Sequence, residues 1–254
     1  MKLRVLGASG SDMPGQHLTS FLIDDCLLFD AGGVTNSLTL RQQQKIKYIF
    51  ITHAHLDHIR DIPFLADNIV ISGQKSQIKV FSINDVVEDM KKHLLNQRLW
   101  PDFTAIPSKK NSILKLEKIK EGETVTINGF NITAVAVQHT VPAVGYLVQK
   151  ENKTLFYTGD TGPSEQTWNA LGKINLDALI IEVSFPDDLK DIALKTGHLT
   201  PSLLFEDLSR LEHPPRKIYV THVKPFYRKK IEKEINSAKK YNIKILGGGE
   251  IIKI

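Results

Sequence analysis

Residues 49–58 read Ile-Phe-Ile-Thr-His-Ala-His-Leu-Asp-His, and this stretch constrains the fold more tightly than any other. The apolar run 48–51 predicts a buried strand. It delivers three imidazoles and one carboxylate within the six residues 53–58. Nitrogen and oxygen donors at that density suit zinc, iron or manganese, and imidazole mixed with carboxylate fits an open, catalytic metal site. A structural zinc site draws more often on thiolates, and the chain has one cysteine, Cys26. The alternative is a surface loop that is merely rich in histidine. Nine histidines in 254 residues would rarely place three directly behind an apolar strand.

Composition narrows the class further. At 41% hydrophobic and 24% charged residues, the chain has an ordinary globular make-up with ample core. No apolar run approaches the roughly 20 residues that span a bilayer, so no membrane partner is expected. The start, Met-Lys-Leu-Arg-Val-Leu-Gly, is too short in its apolar part for a signal peptide and predicts a first strand. Cys26 lies within Cys-Leu-Leu-Phe and reads as a buried thiol, with no disulfide framework. Together these features predict a cytoplasmic protein. The formal charge of +5 is spread along the chain. It suits a small anionic substrate and is too mild to argue for nucleic acid. The densest cluster, Arg228-Lys229-Lys230, reads as the solvated start of a helix.

Taken in order, residues 2–6 predict a strand and 7–12 a glycine-rich turn that borders the site, without the lysine of a phosphate-binding loop. His17 is either a surface residue or a substrate contact. Residues 18–23 and 26–29 predict a hairpin around Asp24-Asp25. Asp30 either holds a metal-bound imidazole by its second nitrogen or caps the following turn. Ile59, Ile62, Leu65 and Ile69 recur at helical spacing, with Pro63 tolerable in the first turn. A strand follows at 78–81. Residues 84–110 then break the strand rhythm. Val86, Val87, Met90, Leu94, Leu95 and Leu99 predict an amphipathic helix ended at Trp100-Pro101, a helical insertion capping a pocket. His93 reads as a surface residue of that helix.

Strands are predicted again at 130–137, 144–148, 155–158, 178–183 and 217–221. The first ends in Gln138-His139, and the third runs into Gly159-Asp160-Thr161-Gly162-Pro163. The glycines beside Asp160 let its backbone approach another group, although a plain turn explains the string in isolation. Glu182-Val183-Ser184 ends the fourth of these strands, and His222 leaves the last. Thr200 is a good N-cap and Pro201 suits the first helical position, with Leu204, Leu208 and Leu211 as the apolar stripe. His198 thus sits just ahead of a helix start, either as an anion contact or as a packing residue. Ile231, Ile235 and Ala238 mark a last helix, and 243–246 and 250–254 close the sheet. Strands and helices alternate without a linker. The predicted fold is α/β, a single four-layer αββα sandwich over 1–254 with the helical insertion at 84–110.

The spacing Thr-His-Ala-His-Leu-Asp-His resembles the signature of the metallo-β-lactamase fold superfamily. His-Leu-Asp-His at 55–58, Trp-Pro-Asp-Phe-Thr at 100–104 and Gly-Asp-Thr-Gly-Pro at 159–163 resemble the class II cyclic-nucleotide phosphodiesterases within it. Glu-Val-Ser-Phe-Pro at 182–186, Gly-His-Leu-Thr-Pro at 197–201 and Thr-His-Val-Lys-Pro at 221–225 agree. Each string is weak alone; six in order over nearly the whole chain are specific. One departure stands out: Ile59-Arg60-Asp61-Ile62-Pro63-Phe64 replaces the small residue and apolar stretch ending in Ser-Pro or Ser-Ala that this family carries after His58.

The resemblance implies two divalent metal ions, zinc first, with iron or manganese admitted by the same donors. His53, His55 and His139 would hold one, Asp57, His58 and His222 the other, and Asp160 would bridge them. It implies hydrolysis of 3′,5′-cyclic AMP or GMP to 5′-nucleotides by a hydroxide shared between the metals. Asp57, His198 and Glu182 are the expected catalytic groups, His198 being the acid or phosphate contact. His17, Thr161 and His198 are the expected substrate contacts. A homodimer is compatible with all of this. The alternatives are an endoribonuclease of the tRNA 3′-processing type and a non-catalytic dimetal sensor or binding protein.

Overall fold

The computed structural model describes residues 1–73, 76–238 and 240–254. Among these, β1 (Lys2–Gly7), β2 (Ser20–Ile23), β3 (Leu27–Phe29), β4 (Tyr48–Phe50), β5 (Ile78–Ile83) and β6 (Leu114–Ile119) form the first sheet. The second contains β7 (Thr124–Ile127), β8 (Phe130–Ala136), β9 (Val144–Lys150), β10 (Lys153–Tyr157), β11 (Ala178–Glu182), β12 (Ile218–Thr221) and β13 (Ile243–Ile245). A final strand, β14 (Ile251–Lys253), returns to the edge of the first sheet beside β1. Strand order is β14-β1-β2-β3-β4-β5-β6 in one sheet and β13-β12-β11-β10-β9-β8-β7 in the other.

Turn chemistry explains the antiparallel outer strands. Asp24 and Asp25 both take positive φ between β2 and β3, as do Asn128 and Gly129 between β7 and β8. Short hairpin loops use that backbone to match the strand twist, and Asp, Asn and Gly adopt it at low cost. The strands β3 to β6 and β10 to β13 run parallel. Their crossovers carry helices, which is how such a strand pair is joined.

Three apolar clusters divide the molecule into layers. Phe21, Phe29 and Phe50 of the first sheet meet Phe130, Tyr146 and Tyr157 of the second between the sheets. Ile62, Leu65 and Ile69 of the helix Asp61–Ile71 pack on the outer face of the first sheet through Leu28, Ile49 and Ile51. Trp168, Leu204 and Ile231 cover the outer face of the second through Leu179, Ile181 and Val220. The expected αββα sandwich is therefore the observed architecture. No helix among the described residues is long and apolar enough to cross a membrane.

The insertion differs from expectation. Residues 84–110 are helical over Asn84–Asp89 and continue as one π-type turn over Met90–Leu94, and then only a short 3-10 turn at Lys109–Asn111 interrupts the irregular chain. The predicted helix through Leu99 fails for a local reason. Gln97 takes φ +64, and the Asn96 side chain accepts from the backbone N–H groups of Arg98 and Leu99. That Asx-type bonding competes with helix continuation. The apolar spacing that suggested a helix stripe instead leaves Leu99 63% exposed.

Candidate metal centre

The motif residues meet where the parallel strands end. Asp30 follows β3, His53 to His58 follow β4, Asp160 follows β10, Glu182 ends β11, and His222 follows β12. Ligand sites in open α/β sheets form at such carboxyl ends. His139 comes from the loop after the antiparallel β8. Two close approaches make the convergence possible. Gly159, at φ +62, lies so near Thr52 that a Cβ would sit 2.6 Å from the Thr52 Cβ. At Gly10 a Cβ would lie 2.3 Å from the His222 carbonyl oxygen. Neither approach tolerates a side chain.

Two donor groups result. His53, His55 and His139 present ligand atoms within 4.8 Å of one another, as do Asp57, His58, Asp160 and His222. Asp160 touches both groups. Its Oδ2 is 3.3 Å from His222 Nε2 and 3.8 Å from His53 Nε2, and its Oδ1 is 3.3 Å from His58 Nε2. Asp57 Oδ2 lies 3.1 Å from His222 Nε2, and His139 Nε2 lies 3.3 Å from His55 Nδ1.

Outer hydrogen bonds aim the rings inward. His58 Nδ1 donates to Asp30 Oδ2 at 2.8 Å, His139 Nδ1 to the Gly197 carbonyl at 2.9 Å, and His222 Nδ1 to Ser184 Oγ at 2.8 Å. His53 Nδ1 donates to Thr52 Oγ1 at 3.0 Å, and that hydroxyl donates to Asp30. Four imidazoles thereby direct Nε2 toward the centre, the arrangement that fixes the tautomer of a metal ligand. Three atoms there, His53 Nε2, His58 Nε2 and Asp160 Oδ1, are buried without a hydrogen-bond partner. Buried polar atoms left without partners are costly. Here they face one another, and nitrogen and oxygen donors converging on one point are what a divalent cation requires. The residues fit the divalent metal binding that the resemblance implies.

Charge follows from burial and proximity. Burial first, then the neighbouring His58, hold His53 well below the ordinary imidazole range. Burial also lowers His55 and His139. These rings are neutral and ready to coordinate. Burial acts against the charge of Asp160, but His222 and His58 outweigh it and hold the carboxyl well below its usual range. For Asp57 burial is likewise overcome, by the neighbouring His222 first and then by the proximity of His58. His58 moves the other way. Burial resists its charge, yet Asp160 and Asp30 keep it well above the ordinary imidazole value in the metal-free chain.

Beside the second group, His198 Nδ1 donates to Glu182 Oε1 at 2.6 Å. Burial lowers the basicity of His198, but the Glu182 carboxylate more than reverses this and raises it above the ordinary value. Ser184 ties this pair to the donor cluster, since its hydroxyl accepts from His222 and donates to Glu182 Oε2 at 2.9 Å. Thr161 N–H donates to Glu182 Oε1 at 3.2 Å, so Thr161 supports the pair from behind. His17 is placed elsewhere. It lines a cavity of about 350 Å³ with Arg4 and the Gly247-Gly248-Gly249 turn. Asp30 resolves as the imidazole holder. Ser184 and Thr52 are the participants that the sequence reading passed over. Each sits within two residues of a motif carboxylate or histidine, which is the signal that could have flagged them.

A cavity of about 380 Å³ opens against His55, walled by Ile59, Leu94, Leu99 and Pro142, with Asp89 and His93 at its edge. The inserted segment therefore borders the centre without being the continuous helix expected.

Residues 21–223 match the family model described as a beta-lactamase superfamily domain. A probable 3′,5′-cyclic-nucleotide phosphodiesterase of Yersinia pestis is 27% identical over 210 residues, 73% of this chain and 59% of that protein. The chain thus spans a little over half of that relative's length. A ribonuclease Z of Archaeoglobus fulgidus is 24% identical over 297 residues, covering 94% of this chain and 92% of its own. Among solved structures, unliganded yeast PDE1 superposes with a TM-score of 0.81 at 20% identity, over 100% of this chain and 99% of that one. At that identity the likeness shows the fold.

Proposed function

Because the chain belongs to the metallo-beta-lactamase superfamily, a hydrolase family, we propose that it is a dinuclear metal-dependent phosphodiesterase opening 3′,5′-cyclic nucleotides to 5′-nucleotides. One observation carries this reading: Asp160 stands between two complete donor groups, with the His198–Glu182 pair beside them. His53, His55 and His139 would hold one metal and Asp57, His58 and His222 the other, with Asp160 shared. When bound, such a pair supplies Lewis acidity that makes water nucleophilic near neutral pH and offsets charge on the phosphoryl oxygens.

The rest is the work of the chain. In the hydrolysis an oxygen from water bonds to phosphorus while the bond from phosphorus to O3′ breaks. The departing O3′ needs a proton. His198 is suited to give it, because Glu182 holds Nδ1 and raises the basicity of the ring, and no hydrogen bond among the described residues engages Nε2. An imidazole that keeps its proton near working pH is an effective general acid. Thr161, next to the shared carboxylate, is the proposed substrate contact, whereas His17 lines the separate cavity beside the Gly247-Gly248-Gly249 turn.

The test pairs elemental analysis of the purified protein with hydrolysis of cyclic AMP, cyclic GMP and a tRNA precursor. About two metal ions per chain and turnover of a cyclic nucleotide are expected. The full-length match to a ribonuclease Z favours a second reading, tRNA 3′ processing, and cleavage of the precursor alone would establish it. His198→Ala should lower kcat by about 10²–10⁴-fold with metal content retained. Equal loss of metal would make His198 structural.

A further inference from the structure

The cavity against His55 has the chemistry of a base-binding site. It shares His55 with the metal centre, so a ligand whose phosphate sits among the donors reaches it directly. Its walls are apolar. Ile59 and Leu94 are buried, while Leu99 is held 63% exposed by the turn at Asn96. Small-molecule pockets pair such walls with a few polar groups that set orientation. Here those groups are Asp89 and His93, one helical turn apart, with His93 Nε2 4.0 Å from Asp89 Oδ1. The Asp89 side chain is half exposed and in reach of a ligand. Ile59 also begins the stretch in which this chain departs from the pattern of cyclic-nucleotide phosphodiesterases.

Resting on the phosphodiesterase reading above, we propose that this cavity seats the purine of the cyclic nucleotide and that Asp89 selects guanine over adenine. Flat apolar faces suit Leu99, Ile59 and Pro142. At the edge, a carboxylate offers acceptors alone. Guanine presents two adjacent donors, N1–H and the 2-amino group, which one carboxylate can satisfy together. Adenine presents its 6-amino donor beside the N1 acceptor, and that acceptor would face the carboxylate unpaired. A polar group left unpaired discriminates more strongly than a lost apolar contact.

The experiment measures kcat/KM for cyclic GMP and cyclic AMP, and calorimetric binding of 5′-GMP and 5′-AMP, on the metal-loaded protein and on Asp89→Asn and Leu99→Ala. The unaltered protein should favour the guanine ligands about tenfold in both readouts. Asp89→Asn replaces one acceptor with a donor that matches adenine, and should reduce that ratio about tenfold or invert it. Leu99→Ala should raise KM for both nucleotides. A preference for adenine in the unaltered protein, or a ratio unmoved by Asp89→Asn, overturns the base site and leaves the phosphodiesterase reading intact. Hydrolysis of bis(p-nitrophenyl) phosphate by the unaltered protein without turnover of either cyclic nucleotide overturns that reading, and the base site with it.

Discussion

Asp30 shows how one side chain holds a centre it does not enter. It is fully buried and accepts from the Thr52 N–H and hydroxyl, from His58 Nδ1 and from the Tyr157 hydroxyl. Asp30→Ala would strand these donors in the core. Removing one partner of a buried charged pair costs about 3–5 kcal/mol, and losing the residue that orients a ligand lowers metal affinity about 10–100-fold. Denaturant midpoints and zinc titration of the variant measure the two effects separately. The sequence showed Asp30 as a possible imidazole holder, because a carboxylate behind a strand has that chemistry. It could not show Ser184 joining His198 to His222. That contact exists because β11 and β12 pair in parallel with Glu182 opposite Thr221, a register invisible in either segment alone. Whether His198 contacts an anion or packs a helix start is equally open in the sequence, and in the structure Glu182 Oε1 stands 2.6 Å from its Nδ1.

Among elements, the loop after β10 is fixed by a close approach to Thr52. Gly159→Ala would force a side chain into positive φ and against Thr52. We expect a loss of about 1–3 kcal/mol in stability, with reduced metal content as Asp160 shifts, measured by thermal melting and elemental analysis. The helix Pro201–Leu208 gives a pH effect of its own. Burial raises the Asp207 carboxyl above its ordinary 3.8, opposed in part by the Trp168 indole and Arg210. The folded chain therefore keeps this proton where the unfolded chain has lost it. Stability contributed by Asp207 is present below pH 3.8 and declines as pH rises through the raised folded value. Asp207→Asn lacks that decline. It should match the unaltered protein at low pH and exceed it at pH 7 by on the order of 1 kcal/mol, as chemical denaturation at both pH values would show.

Strands buried on both faces were readable as apolar runs. Two of the four edge strands, β6 and β7, were not. In β6 the alternation Leu-Lys-Leu-Glu-Lys-Ile is half polar, and β7 is partly exposed throughout. The Asn128-Gly129 pair is a strong hairpin signal that marks the β7–β8 turn.

On the scale of the whole molecule, the donors are drawn from both sheets, and the unpartnered atoms of His53, His58 and Asp160 lie where the sheets' ends meet. Metal binding should therefore stabilise the entire fold. At a free metal concentration 100-fold above Kd the gain is about 2.7 kcal/mol, or about 5–10 °C in Tm for a chain of this size. Chelation should lower Tm by that amount, and added zinc should restore it; an unchanged melting point would mean that the donors bind nothing tightly. The layered architecture was legible because apolar strands alternate with amphipathic helices. The order of strands within each sheet was not, since pairing depends on contacts far apart in sequence. The crossing from β6 to β7 carries a further consequence. Before β14 the backbone changes sheet once, in the exposed turn at 120–123. A cut there would leave His53, His55, Asp57 and His58 on one fragment and His139, Asp160 and His222 on the other. Neither half could catalyse alone, so turnover regained on mixing would serve as a gauge of reassembly, with β14 of the second piece clasping β1 of the first.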